Sequence, residues 1–158
     1  MKVLIFGASG ATGREVVKKA LDRGYSVHAF VRNPVKFEIR HANLDLIVGD
    51  VTDPAPVERA VKGSYAVVSA LGSGNSLRSH PALSDGIPNI IRSMERAGVH
   101  RFVYLSMLGV GGSGKQLGFL GRYIVLPILL RNVMRDHARE EELIKRSTLD
   151  WVIVRPPR

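Results

Sequence analysis

The 158-residue chain contains no cysteine, which excludes a disulfide framework and any thiolate metal site. A chain without thiols fits a reducing compartment, and the expected location is cytoplasmic. Aromatic residues are only 6% of the total, and no stretch interleaves them with basic residues as a single-strand nucleic-acid surface would. No apolar run approaches the roughly 20 residues that span a bilayer. The opening MKVLIFGASG is an apolar run too short, and too soon broken by glycine, to be a signal peptide. Acidic residues are the scarcer charge: 14 Asp and Glu stand against 23 Lys and Arg, a formal net charge of +9. Nucleic acid, an anionic small molecule and simple solubility would each account for that excess. The cations are scattered rather than gathered in one tract, so a small-molecule partner is expected, with neither nucleic acid nor membrane. The oligomeric state is not legible. With 45% apolar and 23% charged residues, the composition is that of a folded chain of one-domain length.

What is present is an alternation of two patterns. Short runs rich in Val, Ile, Leu and Phe occur at Lys2–Phe6, Ser26–Val31, Asp45–Val48, Ala66–Ala70, Arg101–Ser106 and Trp151–Val154. They do not alternate with polar residues, as expected of strands buried on both faces. Between them lie helix-period segments, Thr12–Arg23, Pro54–Lys62, Asp85–Ala97 and Asn132–Arg146. Strand alternating with helix predicts an α/β fold, a parallel sheet covered on both sides. No internal repeat or linker divides the chain, so residues 1–158 are expected to form one domain. The segment Leu108–Leu130 is the exception, glycine-rich and then strongly apolar around Pro127. It reads as a mobile loop and short helix over the ligand, or as a segment packed on the sheet. Ligands of such folds bind at the carboxyl ends of the strands.

KVLIFGASGATGREVVKKAL reads as strand, glycine loop and helix. Gly7 suits a tight turn, Gly10 a close approach of backbone to a pyrophosphate, and Gly13 the packing of helix on strand. Ser9, Ala11 and Thr12 complete the loop and open the helix, whose free amides would face the phosphates. A second glycine run, Gly109 to Gln116, matches the start of a Walker loop. Gln116 stands where that loop needs Ser or Thr for magnesium, so a nucleotide triphosphatase is not expected.

The residue that ends the second strand normally selects the dinucleotide. An Asp or Glu there accepts hydrogen bonds from the ribose hydroxyls of NAD. This sequence has Arg32 instead, followed by Asn33, with Lys36 near. A guanidinium matches a 2′-phosphate in two-pronged fashion, and a charged hydrogen bond contributes on the order of 1.5–3 kcal/mol. NADP(H) is therefore the expected cofactor; the alternative is a surface arginine that holds nothing.

FGASGATG, VRNP, GDVTDP, VVSALGSG, FVYLSMLGVG and LDWVIVRPPR together resemble the NmrA-like, NAD(P)-binding branch of the short-chain dehydrogenase/reductases. Within it the chain looks closest to the flavin reductase/biliverdin reductase B type. The resemblance covers essentially the whole chain. It implies a three-layer, doubly wound Rossmann sheet of strand order 3-2-1-4-5-6 with NADP across its carboxyl edge. It further implies that Asp50 and Val51 flank the adenine, and that Ala70, Leu71 and Gly72 pass the pyrophosphate and nicotinamide ribose. Ser106 would stand beside the nicotinamide, and Pro156 and Pro157 would turn against the carboxamide. Arg78 would lie near the phosphates and the substrate mouth, unless it is only an exposed loop charge.

Two departures bear on function. The family's usual Tyr-x-x-x-Lys is missing, since Pro127 lies four residues after Tyr123. The position of a lysine common in this branch is taken by His137, which would relay a proton or stand as a surface histidine at a helix start. The other histidines, His28, His41, His80 and His100, show no metal-ligand spacing. Ordinary alcohol oxidation is thus not expected, whereas hydride transfer to a flavin or similar ring, with Ser106 beside it, needs no Tyr–Lys pair. The competing reading is a sensor that binds NADP(H) without turnover. The resemblance also implies a further strand and part of a substrate pocket beyond Arg158.

Overall fold

The computed structural model describes residues 1–72, 81–107 and 131–156, with only the backbone described at 131–133. Six strands form one parallel sheet: β1 (Lys2–Phe6), β2 (Ser26–Val31), β3 (Leu44–Val48), β4 (Ala66–Ser69), β5 (Arg101–Leu105) and β6 (Asp150–Val154). Their order is β3-β2-β1-β4-β5-β6. Every pairing is parallel, Phe6 facing Phe30 on one side and Ser69 on the other, and Ser69 facing Tyr104 in turn. This is the doubly wound Rossmann-like fold expected from the sequence. Each strand lies within about two residues of its predicted span.

The central strands β1, β2 and β4 are continuous in hydrophobicity because both faces are covered, whereas the edge strands β3 and β6 are largely exposed. Leu4, Phe6, Val67, Phe102 and Tyr104 point to one face, under α2 (Pro54–Val61), α4 (Gly86–Ala97) and α5 (Arg131–Arg146). Val3, Ile5, Val27, Ala29 and Val31 point to the other, packed with Val17 and Leu21 of α1 (Ala11–Asp22) and with Phe37. Local signals set the helix ends. Asp53 accepts a hydrogen bond from the Ala55 amide at 3.1 Å and Pro54 opens α2, an N-cap followed by proline. A short helix, α3 (Pro81–Ser84), and a 3₁₀ turn, Pro34–Lys36, are additions that the periodicity did not predict. Both are too short for a periodic signal. Among the described residues no helix is long and apolar enough to cross a membrane. Leu108–Leu130, with its Walker-like glycine run, and the implied contacts of Arg78 and Pro157 lie outside the described residues.

Candidate functional site

The carboxyl ends of β1, β2 and β4 open onto a cleft of about 530 Å³, a volume in the range of small-molecule and cofactor sites. Gly7, Ser9, Gly10, Ala11, Thr12, Arg32, Val51, Ala70, Leu71 and Gly72 all line it. Phe30, Val31 and Ala82 line it too. Sequence reasoning missed these three, which look like ordinary strand and helix residues; Phe30 and Val31 end β2 and Ala82 lies in α3.

Glycine is required at both ends of the first loop. Gly7 has φ +72°, and a Cβ on it would lie 2.5 Å from the Ala70 carbonyl oxygen. Gly13 is buried rather than cleft-lining, and its Cβ would lie 2.1 Å from the Gly7 carbonyl oxygen. Helix α1 is thus pressed directly onto the end of β1. Gly10 differs, since its Cβ would meet only the Gly7 oxygen at 3.3 Å and otherwise enter the cleft. Gly10 is also the N-cap of α1 and supplies no side-chain cap, and the helix has no acid in its first turn. Its leading amides therefore face the cleft with their partial positive charge uncompensated. A cradle that a side chain would fill, closed by an uncapped helix end, fits the diphosphate of a dinucleotide.

The loop after β3 is held in place by α4. The amide nitrogen of buried Asn89 donates to the carbonyls of Val51 and Thr52, each at 3.0 Å. Gly86 leaves room for Val51, whose Cγ1 lies 2.7 Å from where a Cβ would stand. Val51 reaches the cleft, whereas Asp50 does not line it. The Asp50 carboxylate accepts from the amide and hydroxyl of Thr52, at 2.9 and 2.8 Å, and so shapes the turn. Arg32 is exposed on the cleft wall at the end of β2. Lys36 sits one turn on, exposed and outside the lining. Pro156 is exposed and does not line the cleft either.

The β5–β6 side has a different character. Ser106 follows β5 and bonds through its amide to the Val154 carbonyl at 2.8 Å. Its hydroxyl is buried and makes no hydrogen bond, and neither does that of buried Ser69 at the end of β4. His137 corrects the expectation of a surface histidine at a helix start. Helix α5 begins at Arg131, so His137 falls in its second turn, faces β5 and is buried. Its Nδ1 lies 2.6 Å from the Tyr104 hydroxyl. Burial pushes the Tyr104 phenol far above the usual range, with Glu140, Glu141 and Asp136 adding to the effect. The phenol therefore keeps its proton, and the tautomer of the imidazole sets which of the two groups donates.

Two acids of α5 are also buried. Burial alone would raise Glu141, but Arg155, Ser106 and Lys145 together outweigh it and hold the carboxyl below its usual value. Arg155 grips Glu141 through both prongs of its guanidinium, Nε to Oε1 at 2.9 Å. The Ser106 hydroxyl lies close enough to add to that lowering, although its geometry does not make a hydrogen bond. Glu140 has no such partner among the described residues; one oxygen makes no hydrogen bond there, and burial, aided by Asp136, pushes it up to about 8.

Comparison with known proteins places this geometry. A family model described as NAD(P)H-binding matches residues 7–158. Photosystem II assembly factor Ycf39 of Synechocystis is 30% identical over 111 residues, 68% of this chain and 34% of that protein. The chain thus spans about a third of the length of that curated relative. Among solved structures, ChuY, an anaerobilin reductase of Escherichia coli O157:H7, superposes with TM-score 0.79 at 23% identity, covering 99% of this chain and 72% of its own. A short-chain dehydrogenase/reductase of Veillonella parvula in complex with NADP gives TM-score 0.75 at 19% identity, covering 98% and 68%.

Proposed function

We propose that this chain, which belongs to the NAD(P)H-binding family, is an NADPH-dependent oxidoreductase whose acceptor is a flavin or a similar flat, electron-poor ring. The observation that carries the reading is Arg32, an exposed guanidinium on the cleft wall at the end of β2, where no carboxylate stands to repel a 2′-phosphate. Bound NADPH would supply the hydride. The glycine loop and the amides of α1 would hold its diphosphate, and Arg32 its 2′-phosphate. Ser106, at the end of β5, would hold the nicotinamide or polarise the acceptor. The buried Tyr104–His137 pair would keep the floor beneath Ser106 in one arrangement. A flat acceptor requires no Tyr–Lys proton donor, in keeping with the absence of Tyr-x-x-x-Lys from the chain. An extended conjugated acceptor is also in keeping with the fold shared with ChuY.

The test is to incubate the protein with NADPH and FMN or riboflavin and follow nicotinamide absorbance. Turnover is expected, reduced by Ser106→Ala with little change in NADPH affinity. Tight NADPH binding with no turnover across several ring acceptors would assign the chain to a dinucleotide sensor instead.

A further inference from the structure

We propose that Arg14 is a positioning residue for cofactor selectivity, setting the width of the groove that takes the ribose 2′-phosphate; this rests on the NADPH reading above. Arg14 lies in the first turn of α1 and does not itself line the cleft. Its side chain instead joins the two walls. Nε donates to the Ser9 carbonyl at 3.1 Å, and one terminal nitrogen donates to the Lys36 carbonyl at 2.9 Å. Ser9 belongs to the glycine loop that lines one wall, and Lys36 ends the turn Pro34–Lys36, capped by Asn33, that follows Arg32 on the other.

That turn is stiff enough to transmit the tie. Pro34 fixes one backbone angle, the Asn33 side chain accepts from the Val35 amide at 3.0 Å, and Phe37 is fully buried just beyond. A carbonyl held at Lys36 therefore fixes where Arg32 stands. The turn also presents two cations, Arg32 and Lys36, with no acid from Arg32 through Phe37. A planar fork with donors at fixed separation holds two carbonyls at a set distance, whereas an ammonium on a flexible stem bonds one at a time. Both bonds are solvent-exposed, so their loss should disturb alignment more than folding.

The test is to measure Kd for NADPH and for NADH with the full chain, Arg14→Met, Arg14→Lys, Arg32→Ala and the double variant Arg14→Met/Arg32→Ala. Arg14→Met is expected to weaken NADPH about tenfold and NADH no more than about twofold, with Arg14→Lys between it and wild type. The double variant is expected to bind NADPH no worse than Arg32→Ala alone, because the tie acts through Arg32. Equal losses for the two cofactors, or fully additive losses in the double variant, would overturn the proposal and leave Arg14 as a fold brace. Should Arg14→Met fail to fold, the NADPH-to-NADH ratio of Arg14→Lys decides in the same way. An Arg32→Ala variant with an unchanged NADPH-to-NADH ratio would instead sink the 2′-phosphate reading, and this inference with it.

Discussion

At the carboxyl ends of β1 and β2 the chain turns backbone and an exposed guanidinium toward a cleft. At the ends of β5 and β6 it buries two carboxylates and a phenol–imidazole pair under α5. The first side is built from what is missing: side chains at Gly7, Gly10 and Gly13, and a side-chain cap on α1. Its electrostatics come from amides and one exposed cation, at small desolvation cost. The second side is built from groups costly to bury unless paired. Arg155 pairs Glu141, Tyr104 pairs His137, and one oxygen of Glu140 is left without a hydrogen bond. One side can thus hold a cofactor with backbone and a single arginine, while the other rests on buried groups that must be paired or kept neutral.

Substitutions that separate these two sides test the contrast. The largest effect is expected at Gly13→Ala, whose Cβ would strike the Gly7 carbonyl oxygen at 2.1 Å. Backbone that cannot move aside makes this at least the ~1–3 kcal/mol of ordinary overpacking, read as a large fall in Tm. Gly10→Ala, whose Cβ would make one tight contact, 3.3 Å from the Gly7 oxygen, should keep the fold at a smaller cost and lose the dinucleotide. Similar Tm values for the two variants would break the distinction.

Arg155→Ala comes next. It removes the two-pronged partner of Glu141, whose side chain is 1% exposed, and leaves it the Lys145 ammonium at 3.9 Å; the loss should cost about 3 kcal/mol, the lower range for breaking a buried pair. Glu141 is lowered in the fold, so its contribution is present at neutral pH and lost as pH falls. The deficit of Arg155→Ala should accordingly shrink in acid, as urea unfolding at two pH values would show.

The smallest effect has the opposite sign. Glu140 is raised from 4.5 to about 8. Across that window the folded chain keeps a proton that the unfolded chain has released, so stability falls as pH rises. Glu140→Gln removes the dependence. The Tm of the variant minus that of wild type should grow from pH 5 to pH 8, corresponding to about 1–3 kcal/mol. A difference independent of pH would show that Glu140 is not held neutral.

The two sides also differ in how far they can be read from sequence. Strands continuous in Val, Ile, Leu and Phe announce a parallel sheet, and spacing plus strand–helix context announces the glycine loop. Arg32 is found by counting from that loop. Nothing comparable marks the second side. Tyr104 sits in an apolar strand and reads as core, while the run from Arg139 to Glu142 reads as a solvated helix face. Glu141 is inside because its partner Arg155 arrives from beyond β6, 14 residues later. For His137 the sequence left a proton relay and a surface histidine open, and its burial follows from a contact with a strand residue 33 positions earlier. Lys36 and Asp50 follow β2 and β3 without lining the cleft: the Lys36 carbonyl accepts from Arg14, and the Asp50 carboxylate accepts from Thr52.

The central claim is that the cleft recognises a 2′-phosphorylated dinucleotide through Arg32. Its most direct test is the Kd of NADPH and of NADH for wild type and Arg32→Ala, measured side by side. Wild type should bind NADPH more tightly, and Arg32→Ala should lose about ten- to a hundredfold for NADPH, the worth of a charged hydrogen bond, with NADH nearly unchanged. Tighter binding of NADH by wild type, or equal losses for both dinucleotides, would contradict the account.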